Sequence, residues 1–526
     1  MPRDMVHVRR GGSHRFSGPD VKIGRSQFNR SHGLKTTFDV SYLYPIFCDE
    51  VLPGDTMTLK THGFCRVFSP LESPIMDNIE VETLFFFVPN RLVWQNWEYF
   101  QGAHDAAGAQ DTTYTVPVMG NGVTVDHDEN VAVAGLMAHF GIPEGLQTTQ
   151  VGVNSLPFRG YNRIFNDWFR DQNVGAEVTM ETGNGPDTTG NYAIRKSAKR
   201  HDYFTSSLPY LQKGDIKYLG QEVVVETDVA EGGNPSVYST VSSNYRQLDA
   251  GAAQVDTSAT LGSLNTALKV DLAGVTGISI NALRESLAIQ RLLERDARGG
   301  TRYTEIIKSH FGVTSPDFRL QRTEYLGGGK AFVNVAPVAN TSATATEDQG
   351  ELRGVGTGRV TGGFARSFTE HGYIIGLIRA RGDVTYFQGL DRHWSRSDRY
   401  DFYMPDLANL GEQSILNKEL YISNSSATDD AVFAYQERWA EYRTKKSEIH
   451  GKFNPDVSGS LSIWHLAEDF GSLPTLNNTF IQDQTPMSRV TVVDSEPDFI
   501  ADLWFDYRCA RPMPVRSIPS ILGGRF

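Results

Sequence analysis

Cysteine is scarce in this chain of 526 residues: Cys48, Cys65 and Cys509 stand far apart and form no CxxC pair. That spacing argues against a disulfide framework or a cysteine zinc site, and it suits a reducing compartment. Long apolar runs are also missing. No stretch approaches the roughly 18 apolar residues that a membrane helix needs, and Met1-Pro-Arg-Asp has no signal-peptide core. No internal repeat is present, and no helix-turn-helix, zinc-finger or RRM signature, which disfavours gene regulation. A G-x-S-x-G element is absent too. Gly327-Gly328-Gly329-Lys330 has part of a phosphate-loop pattern but lacks the rest of it, and no strong strand precedes it.

Acid is scarce at the ends of the chain. Residues 507–526 hold four Arg and no Asp or Glu, and residues 1–36 hold eight Lys or Arg against two Asp. These ends carry +4 and +6; removing both from the total of −12 leaves −22 on the 470 residues between them. An acidic body with two basic ends suggests ends that meet a polyanion. The candidate cations are Arg3, Arg9, Arg10, Arg15, Lys22, Arg25 and Arg30 at the start, and Arg508, Arg511, Arg516 and Arg525 at the finish. Contacts of this kind bind phosphate without reading bases, and they weaken with salt.

What is abundant is glycine, at 50 residues, and aromatic side chains, with 29 Phe and 21 Tyr. Together they favour β structure. Between Asp498 and Arg508, Phe499, Ala501, Leu503, Phe505 and Tyr507 alternate with Asp502, Trp504 and Asp506, the period of a half-buried strand. Pro512, Pro514 and Pro519 then forbid regular structure, so 509–526 reads as a basic C-terminal arm. Residues 1–33 read as a basic N-terminal arm without its own fold. Strands are expected at Thr37–Tyr44, Met57–Phe68, Ile79–Val88 and Gly372–Arg381. A short helix fits 91–100, and an amphipathic one fits 160–172, where Tyr161, Ile164, Phe165, Trp168 and Phe169 share a stripe. Residues 280–298 and 301–311 read as two more helices, whereas 431–446 fits a helix or a bent strand. Three stretches read as insertions: 102–150, Gln221–Gly277 and 327–365. The second has seven acids and two bases, and loops of that length are functional or disordered. Residues 452–497 read as loop with short strands. Strands at both ends and swollen connections between them predict a mainly β fold: one antiparallel sandwich, one domain over 34–526, in which a minimal eight-stranded jelly roll would leave most of the chain as insertions.

Few residues suggest catalysis. His465, Glu468 and Asp469 form one carboxylate–histidine cluster, and Asp391, His393 and Asp398 another. Neither has the second histidine of a metal site, and side chains adjacent on a strand point to opposite faces. A β-sandwich carbohydrate-active enzyme using Glu468 and Asp469 remains one alternative, and a DNA-binding protein acting through its ends another.

Longer blocks carry a family likeness. FNRSHGLKTTFDVSYLYPIFCDEVLPGDT (28–56), YNRIFNDWFRDQN (161–173), KRHDYFTSSLPYLQKG (199–214), LRESLAIQRLLERDARGGTRYTEIIKSHFGV (283–313) and FIADLWFDYRCARPMPVRSIPS (499–520) together resemble the major capsid protein of microviruses, most closely the gokushovirus branch. The resemblance implies a viral jelly roll, no enzymatic activity, no cofactor and no metal. It implies subunits that form a T=1 icosahedral shell around circular single-stranded DNA, assembled in the host bacterial cytoplasm and located in the virion. It also implies partners: a small basic DNA-binding virion protein, minor pilot or spike-type proteins and a host cell-surface receptor. By position, Gln221–Gly277 is similar to the insertion that forms a three-fold protrusion for host attachment.

Overall fold

The computed structural model describes residues 24–103, 114–128, 132–211, 280–300, 302–341 and 349–516, together with the backbone of short strands between 225 and 270. The chain divides into two compact units, Met1–Leu211 with Val313–Phe526, and Gln212–Gly312. The single domain expected over 34–526 is therefore interrupted by a separate unit wider than the Gln221–Gly277 insertion.

The larger unit is organised by one antiparallel sheet. Its strands are β1 (Ser26–Asn29), β2 (His32–Phe38), β3 (Tyr44–Val51), β4 (Thr56–Val67), β5 (Ile79–Pro89), β6 (Glu324–Ala339), β7 (Leu352–Ser367), β8 (Gly372–Gly382) and β9 (Phe499–Arg511). Their spatial order is β1-β9-β4-β7-β6-β5-β8-β3, with β2 also on β9. β1 pairs with Arg508–Arg511 and β2 with Phe499–Phe505, so the two act as one interrupted strand along β9. The sheet is thus eight positions wide, and its first position pairs with its last in sequence.

Alternation explains why these segments are strands. On β9, Phe499, Ala501, Leu503, Phe505, Tyr507 and Cys509 are buried while Asp502, Trp504 and Arg508 face solvent. β4 repeats the pattern with Met57, Leu59, Thr61, Cys65 and Val67 inward. The sheet curls so that its two halves face each other. Phe47 of β3 meets Phe505 and Tyr507 of β9 at ring distances of 5.4 and 5.3 Å, and Phe85 of β5 meets Phe364 of β7 at 5.6 Å. This closes an apolar core between the halves, a mainly β arrangement of jelly-roll kind. β5 is buried on its second face as well, where Phe86 packs on Trp168 and Phe169. Those rings follow helix α1 (Leu156–Ile164), in a π-helical turn at Phe165–Phe169, so the helix expected at 160–172 begins earlier and ends sooner.

The Gly-rich stretch 327–365 is not an insertion but the long hairpin β6–β7 at the centre of the sheet. Glycine weakens strand propensity, and here it is used for close approach. A Cβ on Gly329 would lie 1.7 Å from the Thr361 carbonyl oxygen. Gly363, at φ +151°, would place one 2.1 Å from the Leu59 carbonyl oxygen. Thr37–Tyr44 is not one strand: β2 stops at Phe38, Ser41 turns at φ +74°, and β3 starts at Tyr44. The Ser41 hydroxyl donates to Asp483 at 2.7 Å, and the Val40 amide to Asp498 at 3.0 Å, which hold the break. The expected N-terminal arm is corrected likewise, because 26–29 and 32–33 lie in β1 and β2. At the other end β9 continues to Arg511 before the prolines stop it.

Outside the sheet, 91–100 forms two short helices, Asn90–Val93 and Trp97–Phe100. The excursion 102–150 is not all surface, for helix Val133–His139 buries Leu136 and Met137. Residues 431–446 resolve into strand Val432–Glu437 and helix Ala440–Arg443. Within the described part of 452–497 there are helical turns, at Gly451–Phe453, Ser462–Trp464 and Asn478–Ile481, where short strands were expected. A second apolar cluster gathers Phe204, Tyr386, Ile415, Leu420, Phe480 and Ile481.

The unit Gln212–Gly312 holds a three-stranded sheet (Ser236–Ser239, Asn244–Ala250, Val255–Leu261) and a pair, Val225–Thr227 with Leu268–Val270. The insertion read as loop therefore contains β structure. Helices Ile280–Gly299 and Tyr303–Phe311 follow, close to expectation, joined by a 2.6 Å contact between His310 Nε2 and Asp296. Among the described residues no helix is long and apolar enough to cross a membrane.

Candidate nucleic-acid and assembly surfaces

The basic ends meet at one carboxylate. Arg30, between β1 and β2, binds Asp49 of β3 through both terminal nitrogens, one at 2.9 Å, and lies over the Tyr507 ring. Arg511, at the end of β9, reaches Asp49 at 3.4 Å, the Glu50 carbonyl at 2.5 Å and Asp55 at 3.2 Å. The Tyr507 hydroxyl donates to Asp49 at 2.6 Å. Arg25 donates to the Gly54 carbonyl and the Thr56 hydroxyl at 3.3 and 3.1 Å. These three cations tie the first and last strands to β3 and the β3–β4 turn. Arg508 is 73% exposed and pairs with Asp506 at 3.4 Å. Arg516 is exposed. Arg3, Arg9, Arg10, Arg15, Lys22 and Arg525 lie outside the described residues.

The solvent side of the sheet holds further cations that composition did not single out. Register aligns them in rows across four strands. One row runs Lys35, Asp502, Phe64, Arg359 through β2, β9, β4 and β7; the next runs Gly33, Trp504, His62, Thr361; a third runs Thr37, Ile500, Arg66, Thr357. Lys60 follows on β4 opposite Asp506. Phe64 is 48% exposed and Trp504 53%. Asp502 is met by Lys35 at 3.8 Å. The outward set of β4 was legible in its alternation, but only the pairing with β7 and β9 shows which residues join it.

A second exposed group is aromatic. Trp394, Tyr400, Phe402 and Tyr403 fall within ten residues, and each is about half exposed or more. Arg396 lies 4.4 Å from the Tyr442 ring beside them.

The enzyme-like clusters have structural partners. His465 is buried, its Nε2 2.7 Å from the Phe453 carbonyl and its Nδ1 3.2 Å from the Ala467 amide, so backbone occupies both ring nitrogens. Glu468 is buried against Lys199 Nζ at 2.6 Å. Burial pushes its carboxyl up to about 7, against the opposing pull of Lys199. Asp469 faces away and accepts from Gln388. Asp391 is held by Lys446 and Lys445 at 2.7 and 3.1 Å, with His393 at 3.9 Å, while Asp398 opens the turn Arg399–Asp401. Lys330 and the glycines before it lie in β6, paired with β5. Among the described residues no three His, Cys, Asp or Glu are grouped to hold a metal ion.

A family model described as "Capsid protein (F protein)" matches residues 18–521. The chain belongs to this phage capsid protein family. Relatives over nearly the whole length agree. Capsid protein VP1 of Bdellovibrio phage phiMH2K is 44% identical, covering 98% of this chain and 99% of its own. Capsid protein VP1 of Chlamydia phage 1 is 39% identical, with 97% and 98% covered, and that of Spiroplasma virus 4 is 33% identical, with 95% and 96% covered. The resemblance drawn from the five sequence blocks is therefore borne out, and the chain is a structural capsid protein of the microvirus type, a component of the virion and not an enzyme.

Proposed function

We propose that this capsid protein self-assembles into a T=1 icosahedral shell that encloses circular single-stranded DNA. The observation that carries the reading is the uncovered aromatic group Trp394–Tyr403 on a chain of this family. Large exposed rings are what a subunit contact buries, with Tyr and Trp prominent at its centre. The acidic body and basic ends suit a container for a polyanion. Assembly in the host bacterial cytoplasm fits three free cysteines.

The cations fall into two groups on this reading. Arg25, Arg30 and Arg511 fasten the strand ends, while Arg508, Arg516 and the remaining terminal cations are the candidates for DNA contact. A small basic DNA-binding virion protein shares that task, and minor pilot or spike-type proteins complete the particle. The segment Gln221–Gly277 forms the three-fold protrusion and meets the host receptor. Deleting 221–277 tests that assignment: closed particles that no longer adsorb to host cells support it, and unchanged adsorption contradicts it.

A further inference from the structure

We propose that the solvent side of β2, β9, β4 and β7 is a contact surface for single-stranded nucleic acid, with a base-accepting cleft at Phe64 and Arg66. This rests on the reading of the chain as a shell around DNA and adds the surface that meets it.

Charge is the first argument. The two acids in these rows are each met by a cation, Asp502 by Lys35 and Asp506 by Arg508. Lys60, Arg66 and Arg359 remain exposed without an ion pair among the described residues. An excess of unpaired cations on one face of an otherwise acidic body is complementary to phosphate.

Shape is the second. Between this face and the end of helix Val133–His139 lies a cleft of about 710 Å³, bordered by Lys35, Phe64, Arg66, His127, His139 and Ile500. Its size falls within the range of small-molecule sites. His139 is neutral there, since burial and the nearby His127 lower it to about 4. Asp502 also borders the cleft and is met by Lys35, so the cation there without an ion pair among the described residues is Arg66, and the stacking surface is the exposed ring of Phe64.

Interleaving is the third. Phe64 stands between Asp502 and Arg359 across the strands, and Trp504 lies one step along, opposite His62. Diagonal neighbours on adjacent strands are roughly 7–8 Å apart. Single rings separated by charges suit planar bases with phosphates on the cations between them. They do not suit the centre of a subunit contact, from which charge is depleted. A second copy of the chain is thus the less fitting occupant.

The test uses the full-length wild-type chain and a fluorescein-labelled oligothymidylate. Photocrosslinked peptides are expected to carry Phe64 and Trp504; crosslinks confined to 1–23 or 517–526 would overturn the proposal. In anisotropy titrations, Arg66→Gln with Arg359→Gln is expected to weaken binding about tenfold and flatten its salt dependence. Phe64→Leu with Trp504→Leu is expected to weaken binding about tenfold with the salt slope kept. The distant Lys445→Gln should change nothing. Variants that keep full affinity but lose particles would show a subunit contact instead and overturn the proposal. A wild-type chain that never forms particles would count against the shell reading alone, because the crosslink map still reports on this surface.

Discussion

Neighbouring residues on β9 have opposite fates. Phe505 is fully buried against His32 and Phe47, whereas Trp504 points to solvent. Phe505→Ala should cost about 3–5 kcal/mol of stability, from lost burial and the cavity left behind. Trp504→Ala should stay within about 0.5 kcal/mol. Denaturant unfolding of the unassembled chain checks the pair, and equal losses would contradict the assigned register. A second residue-scale prediction concerns pH. Burial raises the Asp498 carboxyl to about 6, against the bond from the Val40 amide that lowers it. The folded chain therefore keeps a proton there that the unfolded chain has released between about pH 4 and 6, so this group's contribution to stability is lost as pH rises through that window. Asp498→Asn keeps an acceptor for Val40 and removes the titration. Melting temperature followed from pH 4 to 7 should lose part of its downward trend; an unchanged slope would contradict the assignment.

At the scale of the element, the joining of both chain ends to β3 turns on Asp49. Asp49→Ala removes the partner of Arg30, Arg511 and the Tyr507 hydroxyl together. Amide exchange in Ser26–Asn29 should quicken about tenfold while the β4–β9 pairing stays protected; uniform protection would show that the clamp does not hold the edge. Gly329→Ala should destabilise by about 1–3 kcal/mol or more, because the added methyl overlaps the Thr361 carbonyl. These elements differ in how far the sequence revealed them. β4, β5, β8 and β9 were legible because their alternation, or their unbroken apolar run, is local. β6 and β7 were not, because strand propensity counts glycine as a breaker and cannot see the backbone that glycine admits. β1 was missed because its partner, Arg508–Arg511, stands at the far end of the chain. The candidate site was legible in the same partial way. Composition located the basic ends, but it could not show that Arg30 and Arg511 converge on Asp49, nor that Lys60, Arg66 and Arg359 have no ion pair among the described residues.

On the scale of the whole molecule, the chain joins a closed core to surfaces that a lone subunit leaves uncovered. Rings packed between the two halves of the sheet account for the core, and the exposed aromatic group at 394–403 is the proposed subunit contact. Trp394→Ala with Tyr400→Ala should therefore leave the melting temperature of the unassembled chain unchanged while sharply lowering particle yield; normal yield would move the contact elsewhere. The most direct test of the shell reading is sedimentation velocity with negative-stain imaging of the purified full-length chain, with and without circular single-stranded DNA. Uniform closed particles are the expected result. A chain that stays monomeric under every condition, including with DNA and the accompanying virion proteins, would contradict it.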